Sequence, residues 1–221
     1  MKIVNPSYEI LTEISPGGIK ELQLIERVGR TCYKSEDRIT PDGESAKKFV
    51  KMLIDRHHES MIEHSTLTVQ FHVDRGITHE IVRHRVASYA QSSTRYCNYS
   101  LGKFGSEITV VKPFYLDASK IAYEIWMKAM KEAEAAYMGL LAAGMNAQEA
   151  RAVLPTSLLA DLNMTANYRE FRHFLNLRCS KDAHPQIREI CLPLLDELHE
   201  RIPVVFDDIW EKYVGKSKVP E

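Results

Sequence analysis

The densest group of side chains that could do chemistry lies between Arg83 and Tyr96. These 14 residues include three arginines, one histidine, one amide and four hydroxyl side chains besides the two tyrosines. Arginine presents a rigid fork of donors that binds phosphate oxygens at two points, and serine hydroxyls add short hydrogen bonds. We therefore interpret the segment as a nucleotide-phosphate site, with a solvated helix end and loop as the plain structural alternative.

Single-stranded nucleic-acid binding is the second functional interpretation of the same segment. Tyr89, Tyr96 and Tyr99 could stack bases beside Arg95. The whole chain has 29 Lys and Arg against 30 Asp and Glu, a formal net charge of -1. Because no global positive field attracts a polyanion, this balance disfavours nucleic acid and an anionic membrane as partners, and it predicts that an anion is bound locally.

Metal and covalent chemistry find little support in the sequence. The cysteines Cys32, Cys97, Cys179 and Cys191 are far apart and form no C-x-x-C pair, which argues against a zinc ribbon or a thioredoxin-like motif. An H-E-x-x-H motif starting at His58 fails because position 62 is isoleucine. Both common glycine-rich phosphate loops are also absent, so we predict no metal and expect arginines to bind any phosphate.

The length and composition fit one soluble domain. The chain has 221 residues, 44% hydrophobic and 27% charged, without a repeat or a linker that divides it, so we predict a single domain over 1–221. Met1–Pro6 lacks the basic start and apolar run of a signal peptide, and no stretch reaches the roughly 18 apolar residues of a membrane span. These features predict a cytoplasmic protein.

The periodicity of apolar residues places the basic segment at the end of a helix. Helical spacing predicts helices over 19–33 and 45–56, and strict alternation predicts a strand over 66–73. After Gly76 a short helix is expected to lead into Arg83-His84-Arg85.

Four further helices are predicted in the second half of the chain. The longest begins at Asp117 as N-cap and ends near Gly144, with Ile121 and Ile125 among its apolar positions. Two more follow the cap signals Asn146 with Glu149 and Asn167 with Glu170, and they carry Arg151 and Arg178; the last helix runs over Pro185–Arg201. In the helix after Asn167, we expect Phe171, Phe174 and Leu175 to face the core and Arg169, Arg172, His173 and Asn176 to share another side.

The arginine-rich segment resembles the signature of the flavin-dependent thymidylate synthases. Arg83 to Tyr96 fits R-H-R-x-x-S-x-x-x-x-S-x-R-Y throughout. His57–His64 is similar to the family's H-E-[ST]-x-x-E-H segment, Arg151–Pro155 to its A-R-x-x-L-P segment, and Asn167 with Phe174–Arg178 to its N-x-R-x-x-x-x-F-L-N-L-R helix. These similarities occur in order from about residue 19 to residue 200.

The resemblance implies an α+β fold, with a small antiparallel or mixed sheet packed by several helices, in a homotetramer whose active sites are shared between subunits. It implies FAD as cofactor and dUMP, methylenetetrahydrofolate and NADPH as substrates. The implied reaction is reductive methylation of dUMP without a cysteine nucleophile. In agreement, the segment around Arg83 to Tyr96 shows no cysteine beside a general base.

The resemblance also assigns roles to individual residues. The implied flavin contacts are Ser60, Arg83, His84, Arg85, Gln91, Asn167, Arg169 and His173. The implied dUMP contacts are Glu80, Arg83, Gln91, Ser92, Ser93, Thr94, Arg95, Arg151 and Arg178. Arg178 is expected to stabilise negative charge on the uracil ring, and His58 to lie near the flavin ring and the entry of folate or solvent.

Several positions keep structural alternatives. Glu80, Gln91 and His173 stand where other members commonly have glutamine, glutamate and asparagine. His64 is expected to be structural. Glu63 could pair with a basic neighbour, and Arg169 or Arg172 could be solvated helix-face residues.

Overall fold

The structure, a computed structural model, describes residues 1–215 and has six strands and eight α-helices in that part of the chain. The strands are β1 Lys2–Val4, β2 Ser7–Ile10, β3 Thr66–Asp74, β4 Ser88–Gln91, β5 Thr109–Val111 and β6 Leu159–Asn167. The helices are α1 Ile19–Thr31, α2 Glu44–Asp55, α3 Arg75–Ile81, α4 Lys120–Ala142, α5 Ala147–Ala150, α6 Tyr168–Arg178, α7 Pro185–Arg201 and α8 Pro203–Tyr213. The α+β class is confirmed.

The strands form two small sheets. β1 and β5 pair in parallel with Lys2 opposite Thr109, and the four-stranded sheet has the order β2-β3-β6-β4. In β3 the side chains of Leu67, Val69, Phe71 and Val73 are buried, as the alternation predicts. β6 alternates in the same way, with Ala160, Leu162, Met164 and Ala166 buried. Its small alanines make this pattern weak in the sequence, and β6 is not among the predicted elements.

The chain divides into two compact units. Within the described residues, the first comprises 1–8, 70–83 and 89–163, and the second comprises 9–69, 84–88 and 164–215. The prediction of one domain over 1–221 remains a prediction.

The first unit packs α4 over a small apolar core. That core consists of Ile108, Val110, Met130, Tyr137, Ala150 and Leu158. α4 begins later than predicted, because Ser119 and not Asp117 caps it: the Ser119 Oγ accepts a hydrogen bond from the Ala122 N–H at 3.2 Å. Asp117 lies in the preceding 3-10 turn and pairs with Lys112 at 2.7 Å. The predicted stop is confirmed, since Gly144 has a φ of 94°.

The second unit is built from helices. α1 packs on α2, α7 packs on α8, and α6 contacts both α7 and α8. In α6 the side chains of Phe171, Phe174 and Leu175 are fully buried, which confirms the predicted core face. The last predicted helix is also confirmed at Pro185–Arg201, with Ile187, Ile190, Leu194 and Leu198 buried. α8 follows directly with Pro203 at its first position, a start signal that the sequence reading missed.

Some apolar residues at helical spacing do not face the core. Leu24 of α1 is 47% exposed, whereas Leu22 is 0% exposed. In α4, Ile121 and Ile125 are 71% and 67% exposed. Among residues 1–215 no helix combines the length and the apolar character that crossing a bilayer requires.

The contrast within α1 predicts different costs for two matched substitutions. Leu22→Ala should lower the free energy of unfolding by about 2 to 5 kcal/mol, because it removes buried methyl groups and leaves a cavity. Leu24→Ala should lower it by less than about 1 kcal/mol, since much of that side chain is already in solvent. Urea titration of both variants at one protein concentration measures the difference; equal losses would contradict the assigned core face of α1.

Candidate active site

Helix α6 positions the most concentrated group of predicted site residues in the second unit. Asn167 caps the helix, and its Oδ1 accepts a hydrogen bond from the Glu170 N–H at 2.9 Å. The cap confirms the predicted helix start and uses the side-chain oxygen of a predicted flavin contact. Arg178 is the last residue of α6. There a cation also complements the negative end of the helix dipole.

His84, from the arginine-rich segment, lies against this helix. Its side chain is buried, with 5% of the residue exposed. The Nε of Arg178 donates to the His84 Nε2 at 3.1 Å, and the His84 Nδ1 lies 3.3 Å from the Glu170 Oε1. An imidazole nitrogen accepts a hydrogen bond only when it carries no proton. The arrangement therefore requires a neutral ring with its proton on Nδ1, directed at the Glu170 carboxylate.

The surroundings of His84 favour that neutral form. Burial, followed by the positive charge of Arg178 and the nearby His173, lowers the pKa of His84 from 6.5 to about 4. Burial also raises the pKa of the Glu170 carboxyl, against the opposite effect of His173. The contact between His84 and Glu170 is therefore a hydrogen bond from a neutral ring and not an ion pair at neutral pH.

A metal centre is the alternative for this cluster. His84, Glu170 and His173 each offer one ligand atom, and these atoms lie within 4.8 Å of one another. The Arg178 guanidinium already donates to one nitrogen of His84 and places a positive charge beside the group. Because that charge repels a second cation, we interpret the cluster as a hydrogen-bonded chain.

Ion pairs join α6 to the 3-10 turn Glu59–His64 within the second unit. Arg172 is 6% exposed, and its guanidinium contacts Glu59 at 3.0 Å and Asp208 at 2.7 Å. The alternative that Arg172 is a solvated residue is therefore wrong. Arg169 contacts Glu63 at 2.5 Å with about half of its side chain exposed, which agrees with the ion-pair alternative for Glu63. Its predicted flavin contact remains a prediction.

His58 and Ser60 line a cavity of about 580 Å³ in the second unit. Both residues are exposed. The apolar lining includes Phe49, Met52, Leu53 and Met61, and the cationic lining includes Arg30, Arg38 and Arg56. A cavity of this size with an apolar lining and few charged groups is typical of small-molecule sites. The role of His58 near the flavin ring remains a prediction.

Two predicted phosphate-binding residues, Arg95 and Arg151, lie on adjacent segments of the first unit. The Arg151 Nη1 lies 3.4 Å from the Thr94 Oγ1, and the Arg95 Nη2 lies 3.4 Å from the Gln148 Oε1, three residues before Arg151. Both arginines are exposed, while Thr94 is buried. The structure therefore places the segments that carry the two guanidinium groups in contact, although the two arginines are 56 positions apart in sequence. Two exposed forks of this kind can bind one phosphate group.

The other predicted contacts in the first unit have varied environments. Gln91 donates from its Nε2 to the Thr78 Oγ1 at 3.0 Å, so its side chain is held against α3. Ser92 pairs with β6: its N–H donates to the Asp161 carbonyl at 2.9 Å, and its Oγ accepts from the Asp161 N–H at 3.1 Å. The Ser93 Oγ accepts from the Arg95 N–H at 3.3 Å. Ser92 thus has a structural role that the sequence did not indicate.

The remaining predicted residues are distributed between both units. Glu80 lies half-buried in the last turn of α3, and Arg83 is exposed in the turn that follows. In the second unit, Arg85 and His173 are exposed. The predicted position of the basic triplet at a helix end is confirmed, since α3 ends at Ile81.

Sequence reasoning missed Glu170 and Asp161 as functional neighbours. Glu170 was assigned only to the helix cap, although its side chain approaches His84. Asp161 lies 2.6 Å from the Nδ1 of His72, a residue on the polar face of β3. The alternation in β3 indicates that His72 lies on the polar face of the strand. It does not indicate the partner, because Asp161 lies in β6, which was not predicted.

Cys179, next to Arg178, is unsuited to act as a nucleophile. It is 1% exposed, and burial raises its pKa to about 12. The thiolate is the nucleophilic form of cysteine, so this thiol is inert at neutral pH. Cys191 is also buried.

The chain is similar to proteins of one family over most of its length. A sequence model of the Thy1 family, described as "Thymidylate synthase complementing protein", matches residues 19–204. A protein from Corynebacterium aurimucosum named flavin-dependent thymidylate synthase is 32% identical over 206 residues, which cover 89% of this chain and 83% of the relative. A protein of the same name from Pyrococcus furiosus is 34% identical over 179 residues, or 80% of this chain and 72% of the relative.

A solved structure has a similar fold. The crystal structure of the UMP/dUMP methylase PolB from Streptomyces cacaoi, bound with 5-Br dUMP, superposes with a TM-score of 0.77. It covers 96% of this chain and 98% of its own, at 20% sequence identity. At that identity the similarity concerns the fold alone.

The buried His84 predicts a pH dependence of stability. Its pKa of about 4 lies below the ordinary value of 6.5, so the unfolded chain binds more protons between these pH values. The free energy of unfolding should therefore fall as the pH drops from 6.5 toward 4 and should not change through this group above about pH 7. His173, Arg178 and Glu170 face the ring, and substitution at His84 leaves their side chains in place.

Comparison of the wild type with His84→Gln isolates this contribution. Between pH 7 and pH 5 the wild type should lose about 2 kcal/mol more than the variant, which has no titratable group at position 84. Urea unfolding at both pH values and at matched protein concentration measures the difference. The same loss in both proteins would show that His84 is not held neutral.

Proposed function

The chain belongs to the Thy1 family of flavin-dependent thymidylate synthases, and on this premise we propose that it converts dUMP to dTMP by reductive methylation. In the proposed reaction methylenetetrahydrofolate gives the one-carbon unit to C5 of the uracil ring, and FAD is the cofactor. NADPH supplies the two electrons that reduce the flavin. The observation that carries the proposal is the contact between the segments of Arg95 and Arg151 in the first unit, since two exposed guanidinium groups on adjacent segments are suited to bind the phosphate of a nucleotide.

The family match also weighs against the second interpretation. Nucleic-acid binding required Tyr89, Tyr96 and Tyr99 as stacking platforms. Tyr96 is 78% exposed, but the Tyr89 hydroxyl donates to the Ile81 carbonyl, and Tyr99 packs edge-on against Phe104. Two of the three rings are thus used within the fold. The enzyme is the better-supported proposal.

The donor set in the second unit fits a flavin cofactor. A reduced flavin supplies a hydride when bound. Its pyrophosphate needs cations, and the exposed Arg85 and the half-exposed Arg169 offer them. Arg83, which is also exposed, is the third arginine among the predicted flavin contacts. Ser60 offers a hydroxyl in the wall of a cavity whose lining is largely apolar. We propose that these residues, with His84, Gln91, Asn167 and His173, hold FAD.

We propose that Arg178 is the principal catalytic residue. Its guanidinium would bind the uracil carbonyls of dUMP and stabilise the negative charge that builds up on the ring as C5 becomes nucleophilic. The inert Cys179 supports a mechanism without a covalent enzyme–nucleotide bond. Without a thiolate, activation of C5 depends more on cations that stabilise the ring anion. His58 would line the entry of the folate.

The assembly and location of the enzyme are part of the same proposal. We propose a homotetramer whose active sites are shared between subunits and which works in the cytoplasm. The exposed Ile121 and Ile125 of α4 support association between subunits, because large exposed apolar side chains close together are typical of protein interfaces.

Glu80, Ser92, Ser93 and Thr94 would complete the dUMP site.

The proposed function predicts that the purified protein is yellow. It should contain about one FAD per chain, elute as a tetramer, and form dTMP only when dUMP, methylenetetrahydrofolate and NADPH are all present. The absorbance spectrum, a sizing column with light scattering and chromatographic detection of dTMP measure these three properties. A colourless monomer that binds oligonucleotides with a steep salt dependence would instead support the nucleic-acid function.

The role of Arg178 predicts a loss of turnover in Arg178→Lys. Lysine keeps the charge but has no planar two-point fork, so kcat for dTMP formation should fall roughly 100-fold or more. Reduction of the flavin by NADPH should change much less, since that half-reaction does not involve the uracil ring. Both rates are measured in one preparation after its fold and FAD content are confirmed. A wild-type rate of dTMP formation would assign Arg178 to the helix end alone.

A further inference from the structure

We propose that His84 is a positioning residue for Arg178, and that Glu170 sets the tautomer in which His84 acts. This inference rests on the catalytic role proposed for Arg178 and adds the device that holds its guanidinium in place. The chain of contacts runs from the Glu170 carboxylate through the imidazole to the Nε of Arg178. All three residues lie in the second unit.

The spacing along α6 explains how one ring reaches both partners. Glu170, Phe174 and Arg178 follow each other at intervals of four residues and therefore lie along one stripe of the helix. The His84 ring packs edge-on against Phe174, with the ring centroids 4.9 Å apart. The middle of the stripe thus supports the imidazole, while its two ends contact the two ring nitrogens.

Packing restricts the ring to this orientation. His84 is 5% exposed, and His173 contacts it from the side with ring centroids 5.6 Å apart. The side chain of Glu170 is 12% exposed. An ionised carboxylate can accept hydrogen bonds but cannot donate them. Glu170 therefore selects the tautomer with a proton on Nδ1, which leaves Nε2 as the acceptor for Arg178.

The contact acts on the inner nitrogen of the guanidinium. His84 binds Nε, so the contact restricts the direction of the guanidinium through its inner nitrogen and not through the two terminal nitrogens. A long arginine side chain has many rotamers, and a catalytic donor works best when its orientation is set before the substrate binds. A protonated His84 would lose its acceptor and repel Arg178, so the neutral ring is required for this role.

Two substitutions at His84 separate the acceptor from the shape of the ring. His84→Phe keeps a ring but removes both nitrogens, and kcat for dTMP formation at saturating FAD and dUMP should fall about 10-fold to 100-fold because a small displacement of a catalytic group is costly. His84→Gln restores an acceptor near the position of Nε2 and should stay within about 3-fold of the wild type. Because His84 is also among the proposed flavin contacts, the FAD content of both variants is measured and the rates of dTMP formation are compared per bound FAD.

His199→Phe is the matched control. His199 also stacks on an aromatic ring, that of Trp210, and pairs with Asp207 at 2.8 Å, but it lies outside the proposed site. Its substitution should leave the rate of dTMP formation unchanged. A general effect of replacing a packed histidine by phenylalanine would instead appear in this variant as well.

A double-mutant cycle tests whether His84 acts through Arg178. In an Arg178→Lys background, His84→Phe should cost less than about 3-fold, because the group that it positions is already lost. Equal costs in both backgrounds, or a wild-type rate for His84→Phe alone, would overturn the inference. Failure of the wild type to form dTMP would overturn the proposed function instead.

The tautomer gives a measurement on the wild-type protein that does not depend on folding of the variants. Nitrogen-15 NMR of histidine-labelled protein at pH 7 should show His84 protonated on Nδ1 and unprotonated on Nε2, with His84→Gln used to assign the signal. A proton on Nε2 would make the contact with Arg178 impossible and would overturn the inference.

Discussion

A buried imidazole beside a guanidinium cannot easily carry a second positive charge, and this electrostatic constraint links the two most informative segments of the chain. His84 comes from the arginine-rich segment, and Arg178 comes from the end of α6, 94 positions later. Their hydrogen bond needs a neutral ring, and burial together with Arg178 keeps the pKa of His84 near 4. This hydrogen bond requires a fixed position of helix α6. The cap at Asn167, the buried aromatic residues and the buried Arg172 all fix that position.

The elements that position these groups were largely predictable, because each has a local signal. The alternation in β3, the cap at Asn167 and the core face of α6 depend only on neighbouring residues, and the structure has all three. Less regular signals failed. Ser119 competes with Asp117 for the same helix start, and a helical period cannot distinguish the buried Leu22 from the half-exposed Leu24.

The site itself was predictable only in part, since its contacts are long-range. The sequence motifs indicate Arg95, Arg151 and Arg178, but not which groups contact them. Gln148 and Glu170 lie in helices that the cap signals predict. The side chain of Gln148 nevertheless contacts Arg95, and that of Glu170 contacts His84. β6 was not predicted, and with it the pairing of Ser92 with Asp161 was missed. Partners of this kind become visible only when tertiary structure brings them together.

The same residue type serves different purposes here according to the carboxylates around it. Arg172 is buried and paired with Glu59 and Asp208, so its charge is used to hold α6, the 3-10 turn and α8 together. Arg95 and Arg151 are exposed, and their hydrogen bonds to Gln148 and Thr94 are with neutral oxygens, so their charge can act on an anion. Arg178 differs from both groups, because its Nε contacts the neutral nitrogen of His84. A neutral nitrogen at this atom leaves the charge of the guanidinium unchanged, and in the proposed role that charge stabilises an anionic uracil ring. A histidine kept neutral by burial therefore suits the proposed role of Arg178, because it contacts the side chain at Nε without adding a negative charge.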